Sequence, residues 1–234
     1  MMDSVEILPG FHAVGLTLHV PEHEALAFAD LHLGFEEALN RQGVLVPRFQ
    51  YADIEAQLRE ALDKTRPRTV IIDGDLKHEF GPVSPREWAE VVRFLGEVGD
   101  YESVLVRGNH DRVIGPVAGR VRVVESLKLG TTLFVHGHEV PKEIKGVRTL
   151  VVGHEHPCIS LREEGRIEKV KCFLVGRWKS RNLIVLPSMN FVTEGTDVLT
   201  ERPLSPLLQE DIGKFKAYGV DKGEILYFGR LEEI

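Results

Sequence analysis

The 234-residue chain has little cysteine, only Cys158 and Cys172. Two thiols cannot staple a small disulfide scaffold, and they suit a reducing compartment as unpaired cysteines. No lysine or arginine precedes Arg41, which excludes the basic start of a secretory signal and the arginine-rich character of a transit peptide. No apolar run approaches the roughly 18 residues that a membrane helix requires. Internal repeats, low-complexity tracts and linkers rich in Gly, Ser and Pro are also missing. Positive charge is in deficit: 29 Lys and Arg stand against 36 Asp and Glu, a net charge of −7. A protein that grips long nucleic acid on a broad basic face leans the other way. These absences leave the expectation of a soluble cytoplasmic chain with no membrane partner, read as one domain over residues 1–234 with no separate cap domain.

What is present is an ordinary globular core, 43% hydrophobic, and ten histidines. Short apolar, partly β-branched runs recur at 25–29, 69–72, 103–106, 132–135, 149–152 and 182–186, and predict buried strands. The segment from Phe11 to Val20, a turn at Pro21-Glu22-His23 and Ala25 to Ala29 predict an opening hairpin. Residues 158–176 predict a second, turning at Glu163-Glu164-Gly165-Arg166. Apolar spacing predicts helices over Tyr51–Lys64 and Pro85–Val98, the latter with proline in its first turn. Strands alternating with helices and then following one another suggest a layered α/β sandwich, and the chain is short for an eight-fold barrel.

Each apolar run ends in a polar cluster: Asp30-Leu-His32, Asp73-Gly-Asp75-Leu-Lys-His78, Gly108-Asn-His-Asp111, His136-Gly-His138, Gly153-His-Glu-His156 and Pro187-Ser-Met-Asn190. Ligands of open α/β sheets bind beyond the carboxyl ends of strands, so the clusters are expected to converge on one rim. Seven of the ten histidines fall in them. Carboxylates and imidazoles without thiolate suit Mn, Fe, Zn and similar ions. There are too many donors for one ion, and paired ions about 3.5–4 Å apart favour phosphoryl chemistry. Glycines 74, 108, 137 and 153 are expected to turn the backbone sharply beside these residues.

In order, these motifs resemble those of the calcineurin-like metallophosphoesterases: D-x-H, G-D-x-x-[DH], G-N-H-[DE], a lone H and G-H-x-H. The His78 ending and the Leu-Gly after Asp-Leu-His resemble the SbcD-related branch, including its small phosphoesterases. The resemblance implies a four-layer α/β/β/α sandwich and two divalent ions, Mn first, with Fe, Zn, Ni or Mg as alternatives. It assigns Asp30, His32 and His156 to one metal, Asn109, His136 and His154 to the other, and Asp75 as the bridge. His110 becomes the general acid, with Asp111 orienting and charging its imidazole. Apart from the resemblance, His78 reads as facing the substrate pocket, with a structural role as the alternative. The reaction implied is hydroxide attack on phosphorus, with a phosphoester substrate drawn from nucleotides or nucleic acid. Larger nucleases of the branch carry a DNA-binding cap and a partner-binding segment; the 78 residues after His156 are expected to complete the second sheet instead.

Blander roles are expected elsewhere. His138 is read as supporting a metal ligand rather than binding metal, Asp73 as a loop hydrogen-bonder, Lys77 and Glu79 as solvated. His12, His19 and His23 read as surface or packing residues. Arg177-Trp178-Lys179-Ser180-Arg181 is either a basic turn or a clamp for a nucleotide, and Pro187–Asn190 either lines the pocket or caps the sheet. Competing functions are a phosphomonoesterase acting on a small metabolite and a metal-binding scaffold for protein partners. The scaffold reading is disfavoured by the intact His110 and ligand set. A metallo-β-lactamase site needs H-x-H-x-D-H, which neither His136-Gly-His138 nor His154-Glu-His156 supplies.

Overall fold

A computed structural model describes residues 2–80, 84–114, 119, 121–163 and 166–234. The first sheet holds β1 (Val5–Leu8), β2 (Phe11–Val14), β3 (Thr17–Val20), β4 (Ala25–Phe28), β5 (Thr69–Asp73), β6 (Glu102–Val106) and β7 (Arg122–Val124), in that order. The second holds β8 (Leu127–Leu129), β9 (Thr132–Phe134), β10 (Thr149–Val152), β11 (Pro157–Glu163), β12 (Arg166–Trp178), β13 (Arg181–Val185), β14 (Thr196–Asp197), β15 (Lys216–Asp221) and β16 (Glu224–Arg230). Strands β4 to β7 pair in parallel, as do β9, β10 and β13. The α-helices are α1 (Phe35–Arg41), α2 (Gln50–Thr65) and α3 (Pro85–Glu97).

The six apolar runs form strands because both faces of each parallel sheet are covered. Every residue of β4 and of β10 is buried. Alternation sends Leu26, Phe28, Val70 and Ile72 outward against Ile54 and Leu58 of α2 and Val91 and Phe94 of α3. It sends Ala27, Ile71 and Val104 inward, against Phe134, Val151 and Ile184 of the second sheet. The outer face of that sheet carries Leu150, Val152 and Leu183 beneath Val198, Leu207, Leu208 and Phe215. The layered α/β/β arrangement is therefore present. Among the described residues its fourth layer is irregular chain with a 3₁₀ turn at Pro206–Leu208 rather than an α-helix.

One local expectation needs correction. The stretch Phe11–Val20 is two strands, because Gly15 adopts φ +53° and turns the chain so that Ala13 pairs with Leu18. Helix α1 carries no sequence signal: it is short and starts from Gly34 at φ 86° without a side-chain cap. The predicted turn at Glu163–Arg166 falls partly outside the described residues, though β11 and β12 pair up to Glu163 and Arg166. On that hairpin Cys158 lies opposite Lys171, so strand alternation sends the neighbouring Cys172 to the other face; both thiols are free and buried.

Strands β11 to β16 all follow His156, so the chain from residue 157 onward does complete the second sheet. The two sheets meet where β4 and β13 end. Ala29 and Ser188 form a parallel bridge, the Met189 amide donates to the Ala29 carbonyl at 3.0 Å, and Ser188 Oγ donates to the Asp30 carbonyl at 3.0 Å. Pro187–Asn190 thus ties the sheet ends together. No helix among the described residues is long and apolar enough to cross a membrane.

Candidate metal centre

The polar clusters converge because the parallel strands of both sheets end on one rim. Asp30 and His32 follow β4, Asp75 follows β5, Asn109 and His110 follow β6, His136 follows β9, and His154 and His156 follow β10. Asp30, His32, Asp75, His154 and His156 all take positive φ, between 47° and 67°. Such backbone is uncommon for non-glycine residues and costs on the order of 1–3 kcal/mol each, so the surrounding hydrogen bonds must hold it. The Asp30 amide donates to the Gly74 carbonyl at 3.1 Å and the His32 amide to the Asp75 carbonyl at 2.9 Å.

One donor atom from each of Asp30, His32 and His156 lies within 4.8 Å of the others, and the same holds for Asp75, His136 and His154. In the first group His32 Nε2 and His156 Nε2 stand 3.2 Å apart, with Asp30 Oδ1 3.4 Å from His156 Nε2. The other Asp30 oxygen accepts from the His154 amide at 2.9 Å. In the second, Asn109 Oδ1 is 3.2 Å from His136 Nε2. His136 Nδ1 donates to the Asp73 carbonyl at 2.9 Å, which fixes the ring and turns Nε2 toward the centre. Asp75 connects the groups. Its Oδ1 accepts from the His110 amide at 2.9 Å, while Oδ2 faces His136 Nε2 at 3.2 Å and His32 Nε2 at 3.8 Å.

Burial lowers most of the imidazoles, since a charged ring loses its water. Burial, then repulsion from His156, takes His32 down to about 3. Burial and neighbouring rings bring His154, beside His136, and His78, beside His110, to about 4. His136 goes the other way: burial pulls it down, but the hydrogen bond and charge of Asp75, helped by Asp30, lift it to about 10. Asp75 mirrors this, with burial outweighed by His136 and the other imidazoles, and stays below the usual carboxylate range. Neutral His32 and His154 beside the ionised Asp75 fit divalent ions, and His136 would release its proton on binding one. Asp30 Oδ1, buried without a hydrogen-bond partner and aimed into the first group, fits the same reading.

His110 lies beside this centre with Nε2 3.8 Å from Asp75 Oδ2. Its Nδ1 is hydrogen-bonded to the His78 carbonyl, so the free nitrogen points inward. Asp111 does not contact that ring by hydrogen bond. It is fully buried, and its two oxygens accept from the amides of Leu76 at 3.1 Å and Gly108 at 3.0 Å. Its expected role of orienting the imidazole is corrected accordingly: Asp111 shapes the two loops, and the His78 carbonyl orients the ring. The His78 ring stacks on Phe35 at 3.9 Å and lies 5.7 Å from the His110 ring. His138 is 5.3 Å from the His136 ring and 6.1 Å from that of His154. It lines a cavity of about 360 Å³ that runs from His136 toward Arg107 and Lys142.

Other expectations change. Lys77 is fully buried rather than solvated, with Nζ bonded to the Glu79 carbonyl. The Asp73 carboxyl makes no loop hydrogen bond; it is buried at the end of β5, and burial pushes its pKa well up. Trp178 is only 5% exposed in the outer core, so the basic turn has no free ring to clamp a nucleotide. Gly74 and Gly137 do turn the chain, at φ +86° and +98°, whereas Gly108 and Gly153 have ordinary φ and serve close approach. A methyl at Gly108 would overlap the Asp75 carboxylate. Three supporting residues went unread in the sequence. Gln50 Nε2 donates to the Leu31 carbonyl at 2.6 Å, Glu87 Oε1 accepts from the amides of His78 at 3.1 Å and Glu79 at 2.9 Å, and Phe80 lies against His110. The Ser84-x-x-Glu87 pattern signals a helix cap, and Ser84 does cap α3, but it does not reveal what the Glu87 carboxylate holds.

Residues 24–157 match the family model described as calcineurin-like phosphoesterase. No curated protein matches the chain. Among solved structures, the nuclease MPE of Pseudomonas putida is 21% identical, covers 97% of this chain and 100% of its own, and superposes with a TM-score of 0.69. The phosphoesterase Yfce of E. coli is 16% identical over 85% of this chain and 88% of its own, with a TM-score of 0.40.

Proposed function

The chain belongs to the calcineurin-like phosphoesterase family, and on that premise we propose that this metal-dependent phosphoester hydrolase cleaves phosphodiesters of nucleotides or nucleic acid with two divalent ions. The observation that carries the reading is the Asp75 carboxylate, whose Oδ2 faces imidazoles of both donor groups. Asp30, His32 and His156 would hold one ion, Asn109, His136 and His154 the other, and Asp75 both. Manganese is the first candidate metal, since a mixed N/O set without thiolate accepts it readily. When bound, such a pair supplies a deprotonated water near neutral pH and positive charge against the phosphoryl oxygens.

The remaining work falls to the chain. His110 donates the Nε2 proton to the leaving alkoxide as the P–O bond breaks. The His78 carbonyl accepts from Nδ1–H on the opposite side of the ring. Nε2 therefore carries its proton in the imidazolium form, and giving it up leaves a neutral imidazole still held by that carbonyl. Asp111 and Glu87 fix the loops that carry Asp75, His78 and His110, so the donor meets the leaving oxygen without searching. The diester preference follows the SbcD-like motif endings and the fold shared with the Pseudomonas putida nuclease over 97% of this chain. The acidic balance of the chain favours small or single-stranded substrates over a broad duplex surface.

A panel of mono- and bis-p-nitrophenyl phosphate, cyclic nucleotides, and single- and double-stranded DNA and RNA, with and without Mn, tests the proposal. Metal-dependent diester cleavage that disappears in His110→Ala is expected. Turnover confined to monoesters would replace the reading with a phosphomonoesterase, and bound metal with no turnover on any member would replace it with a scaffold.

A further inference from the structure

Phe80 is a large apolar side chain left 56% exposed at the rim of the site. Its ring centroid lies 3.6 Å from that of His110, at an interplanar angle of 31°. The segment that carries it is anchored. The Glu79 amide donates to Glu87 Oε1, the Glu79 carbonyl accepts from the buried Lys77, and the Glu79 carboxylate pairs with Arg41. An exposed phenyl on an anchored segment gains little from its own burial, so its position calls for another account.

The chemistry of the neighbouring residue supplies one. His110 Nε2 points toward Asp75, and its other nitrogen is taken by the His78 carbonyl. The oxygen that receives the Nε2 proton is the leaving oxygen, so whatever that oxygen carries must depart along the His110 ring. Among the described residues, the apolar side chain against that ring is Phe80. A sugar or alkyl group gains little from a phenyl face, whereas a nucleobase stacks on it. We propose that Phe80 is the stacking surface for the base of the leaving nucleoside, which makes diesters with a nucleoside leaving group the preferred substrates. The inference rests on the phosphodiesterase reading above and adds to it the side of the substrate that is recognised.

The test compares a dinucleoside monophosphate with the same compound carrying a tetrahydrofuran abasic unit on its leaving side, the leaving side being identified from the products. Wild type, Phe80→Leu and Phe80→Trp are measured with Mn. In wild type the base should lower KM by about tenfold relative to the abasic compound. Phe80→Leu should collapse that ratio to about one, and Phe80→Trp should restore it. An unchanged ratio in Phe80→Leu overturns the inference. So does an equal fall in kcat on both compounds, which would make Phe80 a positioning residue for His110. Failure of wild type to cleave either compound would instead overturn the phosphodiesterase reading, and this inference with it.

Discussion

Asp75 Oδ2 lies 3.2 Å from His136 Nε2, and the two residues come from different sheets. The same oxygen is 3.8 Å from His32 Nε2. One carboxylate therefore spans both donor groups at the seam of the sandwich. Replacing it with the uncharged amide in Asp75→Asn should weaken both metal-binding events. A ligand shared by two ions should cost more than the 10–100-fold that supporting residues cost, so a loss of more than about a hundredfold is expected at each. Calorimetric titration of metal-free protein with Mn measures this; loss of a single event would show that Asp75 serves one ion only.

His110 meets the assigned ligands at Asp75, 3.8 Å from its Nε2, and edge to face at the His32 ring, 4.8 Å between centroids. His110→Gln should lower kcat by about 10²–10⁴ while metal content stays that of the wild type. Elemental analysis alongside steady-state rates checks both halves. A parallel loss of metal would move His110 into the ligand set.

Asp111 gives the contrasting case. Its oxygens accept from two loop amides rather than from the His110 ring. An amide at this position can satisfy one donor and confronts the other, so Asp111→Asn should lose about 1–3 kcal/mol of stability. The alkaline limb of the pH–rate profile, where the general acid loses its proton, should stay in place, because the Asp111 oxygens are taken by main-chain amides rather than by the His110 ring. A displaced alkaline limb with unchanged melting would restore the orienting role.

Gly108 tests close packing without backbone strain. Its φ is ordinary, yet an added methyl would meet the Asp75 carboxylate. Gly108→Ala should lower Mn affinity and turnover together, by pushing Asp75 from its place, while the protein remains folded by circular dichroism. Full activity in this variant would contradict the placement of Asp75.

The pH dependence of the metal-free protein follows from its lowered histidines. His32 and His154 stand at about 3 and 4 in the native state against 6.5 in the unfolded chain. The unfolded chain therefore binds more protons between these values, and native stability drains away as pH falls from 6.5 toward 4. His136, raised to about 10, has the opposite sign: its contribution is complete below pH 6.5 and is lost as pH rises through 10. Urea unfolding in EDTA at pH 4.5, 5.5 and 6.5 isolates the effect by difference. Wild type should lose stability relative to His154→Gln as the pH falls, and a constant difference would contradict the assignment.

The strand runs and the clusters that end them were legible because burial on both sheet faces writes an uninterrupted apolar string, and the rim chemistry writes the polar one. The family motifs then brought Asp30, His32, Asp75, Asn109, His110, His136, His154 and His156 to one place. What stayed hidden depends on partners with no sequence signature. Asp111 follows His110 directly, yet its oxygens are taken by main-chain amides of Leu76 and Gly108, which any residue could offer. Lys77 looked solvated among polar neighbours, but the chain folds its stem inward and a carbonyl receives its ammonium. The positive φ of five site residues also has no compositional mark, since Asp and His were there for their side chains.

The central claim is that two divalent ions act together around Asp75. Its most direct measurement is stepwise titration of metal-free protein with Mn while following bis-p-nitrophenyl phosphate hydrolysis and bound metal in the same samples. The account predicts two ions per chain at saturation, with hydrolysis rising as the second site fills and none in EDTA. Saturation at one ion per chain with full hydrolysis, or hydrolysis that persists without metal, would contradict it.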